Sequence, residues 1–150
     1  MRNIIGALVV AALPLTSVAM AQRKVIAPPE FAPAAGAPAP MFSPGILVGD
    51  TLYISGQIGR DLKTQQVPSD FETEVQTCLD NIGIILKAAG MTFQNVVAVQ
   101  VYLTDMDLFA RMNKVYASVI KEPRPSRTTV GVTKLALPNA HIEITVTARK

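Results

Sequence analysis

One cysteine in the whole chain, Cys78, excludes an intramolecular disulfide in any redox compartment. One histidine, His141, and no second thiol argue against a zinc centre built from nitrogen and sulfur ligands. No Gly-x-Gly-x-x-Gly or phosphate-loop pattern occurs, so nucleotide binding has no support. Charge is sparse: 14 Lys and Arg against 11 Asp and Glu give +3, and the basic residues are scattered rather than gathered into the dense patch that nucleic acid requires. No nucleic-acid partner is expected. Tryptophan is absent, which decides nothing, and no repeat of solenoid period is present.

The chain does contain a concentrated apolar stretch at its start. Met1-Arg2-Asn3 is a short basic segment, residues 4–15 are apolar, and Ala19-Met20-Ala21 has the small-x-small form of a cleavage site. Residues 1–21 therefore read as a secretory signal peptide, which predicts an exported protein, periplasmic or secreted. The run is short and broken by Pro14, poor for a hydrocarbon core about 30 Å thick, so no membrane span is expected after cleavage. Residues 22–150 are enough for one modest core. Within them, residues 22–43 carry Pro28, Pro29, Pro33, Pro38 and Pro40 among alanines and read as an extended, poorly ordered lead-in. Residues 44–150 form the predicted domain.

Ile46-Leu47-Val48 and Thr51-Leu52-Tyr53-Ile54-Ser55 flank Gly49-Asp50, a tight-turn pair between two strands. Ser69-Asp70-Phe71-Glu72 has the Ser-x-x-Glu form of a helix capping box. Apolar residues then recur at Phe71, Val75, Cys78, Leu79, Ile82, Ile85, Leu86 and Ala89, a helical rhythm that Gly90 is placed to end. Cys78 lies on that stripe and reads as packing rather than as a nucleophile. A strand over 95–105 follows, then a second helix after Asp105 with Leu108, Met112, Val115, Tyr116 and Val119 on its buried side. Pro123-Arg124-Pro125 closes it, and strands near 127–136 and 141–149 complete the order β-β-α-β-α-β-β. Two helices cannot cover both faces of such a sheet, so they are expected on one face of an α+β fold.

Residues two apart on a strand share a face. Ile142, Ile144, Val146 and Ala148 suit the helices, which turns Glu143 to the opposite face. If Val130 and Val132 also join the helix side, Arg127 and Thr129 point away, and Arg127, Thr129 and Glu143 share the face without helices. A guanidinium fork can bind a carboxylate in two-point geometry, a glutamate can hold or deprotonate a water, and a threonine can add a hydrogen bond. On residue types alone, a solvated Arg–Glu surface pair accounts for the same pattern. His141 has no serine or cysteine partner in the sequence, and Tyr102 and Tyr116 read as packing residues.

Four segments in order, Leu52-Tyr53-Ile54-Ser55-Gly56-Gln57-Ile58, Phe109-Ala110-Arg111-Met112-Asn113-Lys114-Val115-Tyr116, Pro125-Ser126-Arg127-Thr128-Thr129-Val130 and Leu137-Pro138-Asn139-Ala140-His141-Ile142-Glu143-Ile144, resemble the reactive intermediate deaminase (Rid) family. That family is also called YjgF-like, or the liver perchloric-acid-soluble protein family. The resemblance spans about residues 40–149. It implies a chorismate-mutase-like α+β fold, a mixed sheet with two helices on one face, assembled as a homotrimeric barrel with ligand sites between subunits.

The resemblance further implies hydrolysis of small 2-imino acids or their enamines to 2-oxo acids and ammonia, without metal or organic cofactor. Arg127 would clamp the substrate carboxylate and Glu143 would position the attacking water. Ser55, Gly56, Asn113, Thr129 and Phe42 would line the substrate pocket. Two positions depart from the family pattern: Phe42 stands where a tyrosine is common, and Thr129 where some members have cysteine. An exported member implies a substrate other than the imines of cytoplasmic pyridoxal enzymes. The competing reading of the same fold is a non-catalytic module that binds small carboxylates or a partner protein in those clefts. Ribonuclease activity, attributed to some relatives, fits poorly with the sparse basic charge and the signal-like start.

Overall fold

The computed structural model describes residues 22–150, so the segment read as a signal peptide lies outside the described residues. Strands β1 (Arg23–Ile26), β2 (Gly45–Val48) and β3 (Thr51–Ile58) precede helix α1 (Phe71–Ala88). Strand β4 (Val96–Leu103), helix α2 (Phe109–Val119), strand β5 (Ser126–Gly131) and strand β6 (Ile142–Arg149) follow. The six strands form one sheet in the order β1-β2-β3-β6-β4-β5. All neighbours run antiparallel except β4 and β5, which are parallel because α2 carries the chain back between them. The mixed α+β sheet matches expectation.

Part of the lead-in differs from the sequence reading. Residues 23–26 pair in register with β2, Ile26 opposite Gly45, and Phe31 packs against the core. Alternating Arg23-Lys24-Val25-Ile26 is a short strand with one inward residue, and the proline content around it masks that signal.

Helix α1 buries Phe71, Val75, Cys78, Leu79, Ile82, Ile85 and Leu86 against the sheet. Each such aliphatic side chain contributes roughly 1.5–3 kcal/mol on leaving water. The helix begins one residue later than the capping-box reading: Asp70, not Ser69, is the N-cap, its carboxylate accepting from the Thr73 amide at 2.8 Å. Asp is the stronger cap there because its charge also meets the positive end of the helix dipole. Gly90 follows the C-cap with φ of +69°, as the sequence suggests. Asp105 caps a short 3-10 turn, Met106–Leu108, that leads into α2. Cys78 is fully buried, its thiol donates to the Gln57 carbonyl at 3.0 Å, and burial drives its pKa far up. It is a packing residue.

Two polar ties fix the helices. Arg111 of α2 donates from Nε to Glu72 of α1 at 2.8 Å and lies 5.4 Å from the Phe71 ring centroid. On α1's inner face, the fully buried Glu74 accepts from the backbone amides of His141 at 2.6 Å and Ile142 at 3.2 Å, and lies 2.8 Å from His141 Nδ1. Those amides begin β6, so one carboxylate joins the helix to the strand that carries Glu143.

Glu74→Ala leaves two amides without partners inside the fold and is expected to cost about 3 kcal/mol, read as a lower urea midpoint at unchanged slope. An undiminished midpoint would show that water replaces the carboxylate. The Glu72 carboxyl is pulled by Arg111 from its ordinary 4.5 to about 2. A lowered folded-state pKa gives stability that is present above 4.5 and lost as pH falls towards 2. The stability difference between wild type and Arg111→Ala should therefore shrink across that window in acid urea titrations, and a constant difference would count against the pair.

Candidate active site

A β-bulge shapes the region around Glu143. Ile54 pairs with Val146 and Gln57 with Ile144, so Ser55 and Gly56 together oppose the single residue Thr145. The extra residue reverses the strand's alternation. Leu52 and Ile54 face the helices, but beyond the bulge it is Gln57 that turns inward, 6% exposed, while Ile58 shares the open face with its partner Glu143. Gln57 Nε2 donates to the Ser55 carbonyl at 2.9 Å, which gives the buried amide a partner within the bulge itself.

Gly56 is required by close approach. A Cβ built there would lie 1.8 Å from Glu143 Oε1 and 2.8 Å from its Cδ, so the Glu143 carboxylate rests on the bare backbone of Gly56. The Ser55 hydroxyl donates to the Ser43 carbonyl at 2.7 Å and its amide to the Pro44 carbonyl at 3.0 Å. Those two bonds hold the loop that carries Phe42. Phe42, Ser55, Gly56, Ile58, Arg60 and Glu143 line one cavity of about 310 Å³, with Phe31 and Leu62 in its walls. Three of the predicted pocket residues thus surround Glu143. The sequence reading did not include Phe31 or Arg60: the first lies in the lead-in, and the second opens the polar connection after β3, which carried no pattern.

Arg127 stands elsewhere. Its register partner on β4 is Val99, and that of Thr129 is Val101, both buried under the helices. The expectation that Arg127, Thr129 and Glu143 share the face without helices is therefore corrected: Glu143 pairs with Tyr102 on the open face, whereas Arg127 and Thr129 point to the helix side. The prediction anchored β5 on Val130 as an inward residue, but Val130 is 41% exposed on an edge strand. An arginine is tolerated beneath α2 because its guanidinium lies 4.6 Å from the Tyr116 ring centroid and 5.7 Å from that of Phe109, where aromatic faces attract a cation.

Arg127 lines a second cavity of about 520 Å³ with Asn113, Tyr116, Arg124 and Pro125. Asn113 and Arg127 are thus brought together as expected. Burial pushes the Tyr116 phenol up, against the pull of Arg127 and Arg124. The Tyr116 hydroxyl and Thr129 Oγ1 are both buried without a hydrogen-bond partner. Arg124 pairs with Glu122 at 2.6 Å, whereas Arg127 makes no ion pair among the described residues. Its charge is free for an incoming anion. His141 is used by Glu74 and edges the Phe71 ring at 6.5 Å, outside both cavities.

The chain therefore presents two separate cavities, one with a carboxylate over a glycine and the other with an unpaired guanidinium. Comparison with known proteins bears on how they are used. The family model described as endoribonuclease L-PSP matches residues 32–150. A RutC family protein of Sulfurisphaera tokodaii is 43% identical over 117 residues, 76% of this chain and 93% of that one. The 2-iminobutanoate/2-iminopropanoate deaminase of Rattus norvegicus is 40% identical over 124 residues, 81% of this chain and 86% of the relative. Among solved structures, the YjgF gene product of E. coli superposes with a TM-score of 0.75 at 33% identity, covering 85% of this chain and 98% of that one.

Gly56→Ala separates site geometry from stability. The new methyl meets the movable end of Glu143, so the unfolding free energy from urea titration should fall by no more than about 1 kcal/mol while the carboxylate is displaced. A crystal structure of the variant with Glu143 unmoved would refute the close-approach argument.

Proposed function

The chain belongs to the endoribonuclease L-PSP family, the family of the YjgF and Rid proteins, and from that membership and its two half-sites we propose that it hydrolyses small 2-imino acids, or their enamine tautomers, to 2-oxo acids and ammonia. The observation that carries the reading is the Glu143 carboxylate, which rests on Gly56 inside a cavity walled by Phe31, Phe42, Ile58 and Leu62. A carboxylate held beside apolar walls can accept a proton from a water and aim the oxygen at C2 of an imine. The electrophile is already activated when the imine nitrogen is protonated, so orientation and proton transfer suffice. Proton return to nitrogen then releases ammonia.

Arg127 supplies the clamp for the substrate carboxylate, through a two-point pair that a lysine would not reproduce. In one protomer it faces the other side of the sheet from Glu143. The site accordingly forms between copies, Arg127 of one meeting Glu143 of another across a homotrimer. Exposed Tyr53, Val97 and Val130 offer apolar surface for that contact. The reading includes export: with residues 1–21 removed as a signal, the relevant imines are those made outside the cytoplasm. Phe42, 65% exposed, supplies a wall but no hydroxyl, which favours the binding-only alternative to the extent that a proton donor is needed there.

The test generates 2-iminopropanoate with an amino-acid oxidase and traps surviving imine with semicarbazide. Wild type should lower the trapped product. Glu143→Ala should lose about 100-fold in kcat, and Arg127→Ala about 100-fold in kcat/KM, since the substrate charge loses its partner. Refolding the two inactive variants together should restore activity at about a quarter of the intersubunit sites. Wild type indistinguishable from the no-enzyme control across several 2-imino acids would end the deaminase reading, and oxo-acid binding without turnover would establish the alternative. Absence of rescue would end the intersubunit assignment.

A further inference from the structure

The cavity around Glu143 contains a second charged group for which imine hydrolysis as proposed has no use. Arg60 lines it with Phe31, Phe42, Leu62 and Ala136. Its place is fixed from below: the buried Asn81 amide donates to the carbonyl of Ile58 at 3.2 Å and to that of Arg60 at 3.0 Å. Arg60 makes no ion pair among the described residues. Its sequence neighbour Asp61 is occupied by the amides of Lys63 and Thr64, at 2.9 and 2.7 Å. Arg60 is half-buried among apolar walls, and whatever desolvation its guanidinium suffers there is offset by an arriving anion. The substrate's own carboxylate does not fill that role, since Arg127 takes it in the reading above.

We propose that Arg60 receives the distal carboxylate of a 2-imino dicarboxylate, so that the preferred substrates carry two acid groups. The inference rests on the deaminase reading for the reaction, and on the cavity alone for binding. Phe31 and Phe42 provide the apolar walls that a linking methylene requires, and the guanidinium fork accepts the second carboxylate in two-point geometry. The chemistry is unchanged. Water oxygen bonds to C2, the C–N bond breaks, nitrogen leaves as ammonia, and no electron donor or acceptor takes part. The product is a 2-oxo dicarboxylate.

Calorimetry on the assembled protein tests this with two product-like probes, 2-oxobutanoate and 2-oxoglutarate. Wild type should bind 2-oxoglutarate about tenfold more tightly. Arg60→Met should bring the ratio of dissociation constants to about one, and Arg60→Lys should retain part of the gap because charge without the fork survives. The inference is overturned if wild type shows no preference, if the preference persists in Arg60→Met, or if that substitution weakens both probes alike, which would make Arg60 the clamp for the first carboxylate. A turnover arm compares 2-iminosuccinate with 2-iminopropanoate. If neither is hydrolysed above the buffer rate while the Arg60-dependent binding gap is present, the deaminase reading fails and the dicarboxylate site stands.

Discussion

Two residues of β3, Ser55 and Gly56, stand opposite one residue of β6, and the layout of the Glu143 cavity follows from that mismatch. Without the extra residue, strand alternation would continue from Leu52 and Ile54 and send Ile58 into the core. With it, Gln57 turns inward and Ile58 faces the open side beside Glu143. The bulge also needs a residue with no side chain where the Glu143 carboxylate comes to rest, and Gly56 meets that need. Bulged strands bend and twist more than regular ones. Here the bulged residues line the cavity beside Glu143, and the bonds from Ser55 to the loop at residues 43–44 hold Phe42 at its edge.

The other side of β6 is set by Glu74. A fully buried carboxylate is a poor way to gain stability if isolated, since its desolvation exceeds what a single partner returns. Glu74 has three donor contacts on its two oxygens, two backbone amides and the His141 ring. Such an arrangement selects one register between α1 and β6, because sliding either element by a residue strands the charge. Glu143 lies one residue beyond the second of those amides. Its position therefore depends on a group that never reaches the cavity.

Much of this was legible in the residues. The helical rhythm of α1, the Gly49-Asp50 hairpin and the alternating Ile142, Ile144, Val146 and Ala148 follow from local geometry, and the fold agrees with them. Segments quoted around Ser55, Asn113, Arg127 and Glu143 pointed to the right family. The side of the sheet that Arg127 occupies was not legible. Apolarity is a weak guide on an edge strand, where Val130 faces outward and an arginine is accommodated by Tyr116 and Phe109 instead. The bulge was invisible for a related reason: period-2 reasoning presumes regular pairing, and nothing in Ile54-Ser55-Gly56-Gln57 announces a two-against-one match except the glycine. Glu74 reads as an ordinary polar helix residue until the start of β6 is brought against it. The 23–26 strand was hidden by the prolines that follow it.

The division of charge between the two cavities constrains any chemistry the protein performs. Within reach of each other on one face, Arg127 and Glu143 would form an exposed ion pair of little worth. Holding Arg127 against aromatic rings on the helix side and Glu143 over Gly56 on the open side prevents that pairing within a protomer. Each group thus keeps its capacity for a ligand, and in the proposed reading a second copy closes the cavity. Such closure would exclude water and set both charges in surroundings of lower polarity, where interactions with a substrate are strongest. Assembly, in the proposed reading, is then the step that turns two inert half-sites into one competent site, and the exposed face bearing Tyr53, Val97 and Val130 is the surface through which it acts.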